Sequence, residues 1–304
     1  MTTGVFIDGA AGTTGLEIGE RLAGRDDLSL IVLDEARRKD AAARAEALND
    51  ADIAILCLPD AAAREAVALI RGATRVIDAS SAHRVAAGWT YGFAELGFDV
   101  AAARRVSNPG CYPSGFLAFI APMVRAGLIP ADWPLTVNAV SGYSGGGKAL
   151  IERVEGDTTL AFRSYGFALD HKHVPEMQRH AGLAHPPVFA PSVTRAFRGM
   201  IVEVPLPLAA LPARPSRAAI LDVLHRQFAG APLVRVHDTV PAELLIVVDA
   251  APTDRLDLYV ATDTAGTQAR LVAVLDNLGK GAAGAAVQNL NLMAGVDPLT
   301  GLVV

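Results

Sequence analysis

The chain is nearly without cysteine: Cys57 and Cys111 are its only two in 304 residues. That excludes a disulfide framework and a thiolate-built structural zinc site, and it points to a reducing, cytoplasmic compartment. No uninterrupted apolar run reaches the length of a transmembrane helix, and although 51% of residues are hydrophobic, Ala and Gly supply much of that share. The first residues, Met1 to Val5, enter a strand pattern at once and lack the basic start and cleavage site of a signal peptide. There is no excess of cations either. A net charge of -5 gives no reason to expect nucleic acid or an anionic membrane as partner. Internal repeats and low-complexity tails are absent. What remains is an apolar chain long enough for two domains.

The N-terminal part alternates short apolar runs with helical patterns. Strands are expected at Gly4–Asp8, Leu28–Leu33, Asp52–Leu58 and Arg75–Ala79, and helices at Leu16–Ala23, Ala41–Leu48 and Ala61–Ile70. Strand–helix repetition of this kind predicts a doubly wound parallel sheet, which binds ligands at the carboxyl ends of its strands. Cys57, inside the third apolar run, reads as a core residue.

Between the first strand and helix lies Gly9-Ala10-Ala11-Gly12-Thr13-Thr14-Gly15, a G-x-x-G-x-x-G variant of the dinucleotide fingerprint. The physical demand is a tight turn, a close backbone approach to pyrophosphate and a helix N-terminus aimed at its charge. Glycines also serve ordinary turns, so the flanking strand and helix carry the inference. Cofactor choice is read at Asp34-Glu35-Ala36-Arg37-Arg38-Lys39. An acidic residue after the second strand suits NAD and a nearby arginine suits NADP. Both signals are present; Arg37 and Arg38 tilt the reading to NADP, against a plain solvated charge run.

The most informative segment is Ser107-Asn108-Pro109-Gly110-Cys111-Tyr112-Pro113-Ser114-Gly115. It sets a cysteine in a turn just before an apolar helical run from Phe116, with Pro113 suited to a first helical turn. Unpaired N–H groups and the helix dipole there favour a thiolate, so Cys111 is a candidate nucleophile. Simple packing is the alternative for any free cysteine.

Beyond Cys111 the pattern turns to α+β, with a mostly antiparallel sheet. Strands are expected at Leu135–Val140, Phe197–Leu206, Leu244–Val248 and Leu256–Ala261, and a helix at Ser216–Phe228. The loop Ser141 to Lys148 contains Gly145-Gly146-Gly147, which lets backbone pass close to a ligand or simply bend. His171-Lys172-His173-Val174-Pro175-Glu176 pairs two histidines, but no further ligands have metal spacing, so no metal site is expected. Either histidine suits acid–base work, with Glu176 fixing a tautomer. Near the end, Gly279 to Met293 reads as a loop entering a helix; Asn289 is a candidate partner for a nicotinamide carboxamide or a plain helix-surface polar residue.

Taken together, the Cys111 motif, the glycine loop, Asp78-Ala79-Ser80-Ser81-Ala82-His83-Arg84, Trp89 to Leu96, Ser141 to Lys148, His171 to Glu176 and Gly281 to Met293 resemble N-acetyl-gamma-glutamyl-phosphate reductases, above all their short-form class. The likeness runs through essentially the whole chain. It departs at the triple glycine, where the family often has alanine, and at Ser114, where threonine is common. The resemblance implies an NADP-binding Rossmann domain over residues 1–110, completed by a C-terminal helix within 281–304. A catalytic and oligomerisation domain over 111–280 follows from it, as does a homodimer or homotetramer. Cys111 is implied as nucleophile and His173, rather than His171, as acid–base. Implied cofactor contacts are Gly9, Gly12, Thr13, Thr14, Gly15, Arg37, Arg38, Ser144, Gly145 and Asn289. Candidate substrate contacts are Arg84, Ser107, Asn108, His171 and Glu176.

The expected reaction is the NADPH-dependent reduction of N-acetyl-gamma-glutamyl phosphate through a thioester on Cys111. Aspartate-semialdehyde dehydrogenases and lysine-pathway acyl-phosphate reductases of the same fold are the alternatives within the class. A nucleotide sensor without catalysis and a cysteine hydrolase or acyltransferase are the alternatives outside it.

Overall fold

A computed structural model describes residues 2–304. The chain divides into two compact units, Met1–Gly110 with Ala282–Val303, and Cys111–Gly281 with Val304.

The first unit holds strands β1 (Thr3–Asp8), β2 (Leu28–Ile31), β3 (Ile53–Leu56), β4 (Arg75–Asp78), β5 (Thr90–Tyr91) and β6 (Arg105–Ser107). Its helices are α1 (Thr13–Leu22), α2 (Ala41–Asp50), α3 (Asp60–Leu69) and a C-terminal helix, Gly284–Ala294. All strand pairs are parallel, in the order β2-β1-β3-β4-β6-β5. Period-two alternation sends neighbouring residues to opposite faces. Val5, Ile53, Ile55 and Ile77 meet Ile18 and Leu22 of α1 and Ala286, Val287 and Leu290 of the C-terminal helix. On the other face Phe6, Ala54, Leu56 and Val76 meet Ala47 and Leu48 of α2 and Ala63 and Ala66 of α3. Both faces are thus covered, as a parallel sheet requires. Strand order reverses between β1 and β3, which opens a crevice at their carboxyl ends.

Cys57 packs against the core as expected but falls outside the strand. It lies one residue beyond β3 and is half-buried, because the strand closes at Leu56 ahead of Pro59. Burial, with Asp78 and Asp8 nearby, pushes its thiol up to about 12.

The second unit begins with helix α4 (Cys111–Arg125) and continues through strand β7 (Thr136–Ser141), α5 (Gly147–Gly156), β8 (Phe162–Ser164), α6 (Val174–Ala181), β9 (Val188–Thr194), β10 (Met200–Leu206), α7 (Arg217–Gln227), β11 (Val234–His237), β12 (Leu256–Thr262) and β13 (Ala269–Leu275). Its seven-stranded sheet runs β11-β12-β13-β10-β7-β9-β8. β11–β12 and β7–β9 pair parallel and the other neighbours antiparallel. α4 lies on β10 and β13. The fit needs Gly115, where a Cβ would stand 2.9 Å from Cβ of Val202 and 3.1 Å from that of Ala273. Ser216 caps α7 by accepting from the Ala219 N–H.

The expected strand Leu244–Val248 does not form. The run is continuously apolar but joins neither sheet, and Leu245, Val247 and Val248 stay exposed in the connection between β11 and β12. Among the described residues, no helix is long and apolar enough to cross a membrane.

Candidate active site

In the first unit the loop after β1 meets the demands of a pyrophosphate cradle. Gly9 has φ +88°, and a Cβ on it would lie 2.3 Å from the Cys57 carbonyl oxygen. The Gly12 N–H donates to the Gly9 carbonyl and closes the turn. A Cβ on Gly15 would stand 2.5 Å from that same carbonyl oxygen, so α1 can seat this close to the loop only with glycine there. Thr13 and Thr14 open α1, whose positive dipole end and leading N–H groups lie at the loop. Beside the loop is a cleft of about 760 Å³, lined by Gly9, Ala10 and Ala11, by Leu30 to Leu33, and by Glu35, Arg38, Lys39 and Arg44. Apolar walls with a cationic rim suit an adenosine carrying phosphate. Of the two arginines singled out from sequence, Arg38 lines the cleft, whereas Arg37 is paired with Glu46 and does not. Arg44, from α2, does and was missed; it sits on a helix, away from the charge run that drew attention.

The same unit contains a buried polar cluster after β4. Asp78 accepts from the Ser80 N–H and hydroxyl, and its Oδ2 lies 2.6 Å from His83 Nδ1. The His83 ring stacks on Trp89 at 4.1 Å. Arg84 donates through Nε to the Asn108 carbonyl at 3.0 Å and through Nη2 to that of Ala79 at 3.3 Å. It thereby ties the end of β4 to the stretch just before Cys111. Asn108 donates to the Ala282 carbonyl at 2.9 Å and accepts from Asn289 at 3.0 Å, while Asn289 also donates to the Gly92 carbonyl at 3.1 Å. The Asn108 amide and the Asn289 Nδ2 are therefore committed inside the unit. Ser107 is buried, and its hydroxyl is directed to the Thr90 carbonyl at 3.4 Å.

In the second unit Cys111 is the first residue of α4 and half-buried. The four leading N–H groups of a helix have no intrahelical acceptor, and the dipole end there favours an anion on sulfur. Gly281 packs directly against it, with room for no Cβ. An aromatic wall surrounds the helix start. Tyr112 lies 5.7 Å from the His173 ring, 6.1 Å from that of His171 and 5.0 Å from Phe189. Its hydroxyl meets that of Tyr165 at 3.2 Å. Burial raises both phenols, and a negative charge on Cys111 raises them further, so both keep their protons and serve as neutral hydrogen-bonding groups.

The two histidines arrive with α6. His171 Nδ1 accepts from the His173 N–H at 3.2 Å and the rings meet edge to face at 4.7 Å. His173 Nε2 stands 3.9 Å from Glu176 Oε1, both side chains buried. Pro175 in the first turn of α6 fixes that geometry. His171, His173, Glu176 and Cys111 thus belong to one unit, linked through Tyr112.

The loop from Ser141 is firmer than a flexible turn. Ser144 is buried and accepts from Asn277 Nδ2 at 2.8 Å; Gly145 leaves 3.4 Å between a would-be Cβ and that nitrogen. Arg163, not anticipated from sequence, stands 4.5 Å over the Tyr165 ring.

A glycine-loop dinucleotide domain, followed in one chain by a helix-borne cysteine whose neighbour Tyr112 packs on a histidine pair, is the equipment of a dinucleotide-dependent oxidoreductase. The semialdehyde dehydrogenase NAD binding domain matches residues 4–104, and the semialdehyde dehydrogenase dimerisation domain matches 111–277. N-acetyl-gamma-glutamyl-phosphate reductases of Brucella ovis and Brucella canis are each 51% identical, over 97% of this chain and 100% of theirs. Aspartate semialdehyde dehydrogenase II of Vibrio cholerae, complexed with ASA, superposes with TM-score 0.69 at 18% identity over 97% of this chain and 99% of its own. The Francisella tularensis enzyme does so with TM-score 0.70 at 15% identity over 96% and 100%. The chain belongs to the semialdehyde dehydrogenase family, among its N-acetyl-gamma-glutamyl-phosphate reductases.

Proposed function

We propose that the protein reduces N-acetyl-gamma-glutamyl phosphate to N-acetylglutamate 5-semialdehyde with release of phosphate, a step of arginine biosynthesis. The observation that carries this reading is Cys111 at the start of α4, whose neighbour Tyr112 packs against the rings of His171 and His173, in a chain half identical to reductases of that name.

In the reading, the Cys111 thiolate attacks the gamma-carbonyl carbon, the C–O bond to phosphate breaks, and phosphate leaves with the electron pair. A thioester remains on sulfur. Gly9, Gly12, Thr13, Thr14, Gly15, Arg38 and the cleft beside them would hold NADPH, which when bound would supply the hydride to the thioester carbonyl carbon. After reduction, the tetrahedral oxyanion on Cys111 takes a proton from His173, which Glu176 orients. As the C–S bond then breaks, the hydroxyl proton returns to His173, the thiolate is regenerated and the aldehyde is freed. Neutral Tyr112 and Tyr165 keep the wall around sulfur free of competing charge. Arg84 and His171 are assigned to substrate anions, and Ser107 and Asn108 to shaping the turn that delivers Cys111. Ser144, Gly145 and Asn289 keep their assignment to the cofactor, Ser144 and Asn289 acting through the backbone they brace. Arg37, paired with Glu46, is dropped from it.

Functionally, residues 1–110 with 281–304 form the NADP-binding domain and 111–280 the catalytic and oligomerisation domain. A homodimer or homotetramer in the cytoplasm fits the dimerisation-domain match and the free thiols. The test is the reverse reaction: N-acetylglutamate semialdehyde, NADP and phosphate must give absorbance of reduced cofactor that depends on phosphate. Cys111→Ser is expected to abolish it. Turnover that persists in that variant refutes the thioester route.

A further inference from the structure

The cleft beside the glycine loop contains one cation whose position is set before any ligand arrives. Arg44 of α2 donates through Nε to both oxygens of Asp8, at 3.1 and 3.2 Å, and through Nη2 to Oδ2 at 2.7 Å. Asp8 is the last residue of β1, 3% exposed and immediately before Gly9. The pairing raises the Arg44 guanidinium above its ordinary range, so the charge is permanent. One edge of the fork is spent on Asp8. The remaining nitrogen, Nη1, makes no hydrogen bond among the described residues, and Arg44 lines the cleft.

The loop cations are placed differently. Arg37 is exposed and bound to Glu46 at 2.9 Å, outside the lining. Arg38 lines the cleft but is shared with exposed Glu35 at 2.6 Å, three residues away. Lys39 lines it as an exposed, flexible ammonium. Only Arg44 is both in the cleft and held by a buried carboxylate.

We propose that Arg44 is the residue that recognises the 2′-phosphate of the cofactor, with Asp8 as its positioning residue; this rests on the NADPH reading above. A guanidinium clamped along one edge presents the other edge in a fixed direction, so little side-chain freedom is lost when phosphate binds. Asp8 left unpaired would repel a phosphate at this cleft; paired, it becomes a bracket. Arg38 and Lys39 add net positive charge, which the neutral Asp8–Arg44 pair does not supply.

The experiment measures equilibrium binding to the full chain by calorimetry, with adenosine 2′,5′-bisphosphate and AMP as probes. The wild type is expected to hold the bisphosphate at least about tenfold more tightly than AMP, the scale of one charge-assisted phosphate contact. Arg44→Gln should erase most of that ratio while AMP affinity stays within about twofold, as expected when only the phosphate contact is lost. Arg44→Lys, which keeps charge but loses the bidentate bracket, should fall between. Asp8→Asn should lower the ratio severalfold with AMP binding retained. A ratio unchanged in Arg44→Gln and Arg44→Lys overturns the assignment and leaves the NADPH reading standing. Equal weakening of both probes makes Arg44 a structural residue and also overturns it. A wild type without 2′-phosphate preference removes the NADPH reading itself, and this inference with it.

Discussion

A Cβ placed on Gly281 would stand 2.8 Å from the Cβ of Cys111 and 3.3 Å from its Cα. The contact falls on the base of the side chain, which cannot swing aside without moving the start of α4. The Asp276 carbonyl, 3.0 Å from the same point, closes the other direction. Gly281 therefore helps set where the sulfur lies.

Gly281→Ala should displace the thiol by a fraction of an ångström to an ångström. Misplacement on that scale lowers kcat by up to about 100-fold. Overpacking should destabilise the fold by about 1–3 kcal/mol. Steady-state kinetics beside a urea titration check both. A kcat within twofold of wild type would show that the sulfur is not constrained from this side.

The two cysteines should differ sharply toward iodoacetamide. Cys57, pushed up to about 12, is almost entirely a protonated thiol through the neutral and mildly alkaline range. Cys111, half-buried at the N-terminus of α4, meets the conditions that favour a thiolate. In native protein between about pH 7 and about pH 9, mass spectrometry of peptides should find the label on Cys111 alone. Prompt labelling of Cys57 in folded protein contradicts this.

Asp78 is a hub on which three groups depend. Asp78→Ala leaves the Ser80 N–H, the Ser80 hydroxyl and His83 Nδ1 without their acceptor in a buried setting. Removing one partner from such a cluster costs about 3–5 kcal/mol. Equilibrium unfolding in urea should report that loss, with Asp78→Asn recovering part of it. A change below about 1 kcal/mol, within the range of surface substitutions, would mean that the cluster adds little.

Much of the first unit was legible because its signals are local. β1 to β4 and α1 to α3 fall within a few residues of the apolar runs and breakers that announced them, and the glycine loop sits where the strand–helix junction required. Cys111 was legible for the same reason: a proline, a glycine and a helical run mark a helix start in sequence alone. Leu244–Val248 misled because a short continuous apolar run does not by itself tell a strand from an exposed connection, and this one joins neither sheet. Cys57 misled by one residue, enough to move it from the strand to the turn after it, while it still packs against the core. Arg44, Arg163 and the Asp78–His83 pair were invisible because their meaning lies in partners supplied by the fold. An arginine on a helix says nothing until Asp8, 36 positions earlier, is found against it.

The C-terminal helix has a consequence for how the molecule comes into being. With Ala283 just before it, it contributes Ala286, Val287, Leu290 and Met293 to a core whose other buried members lie within the first 106 residues. On the ribosome, the first unit therefore stays unfinished while all of the second is synthesised and free to fold. The core on that face of the first sheet closes only when the last stretch of chain emerges and returns. A truncated translation product carries an intact cysteine helix but an open-faced parallel sheet, and such a fragment is sticky before it is active.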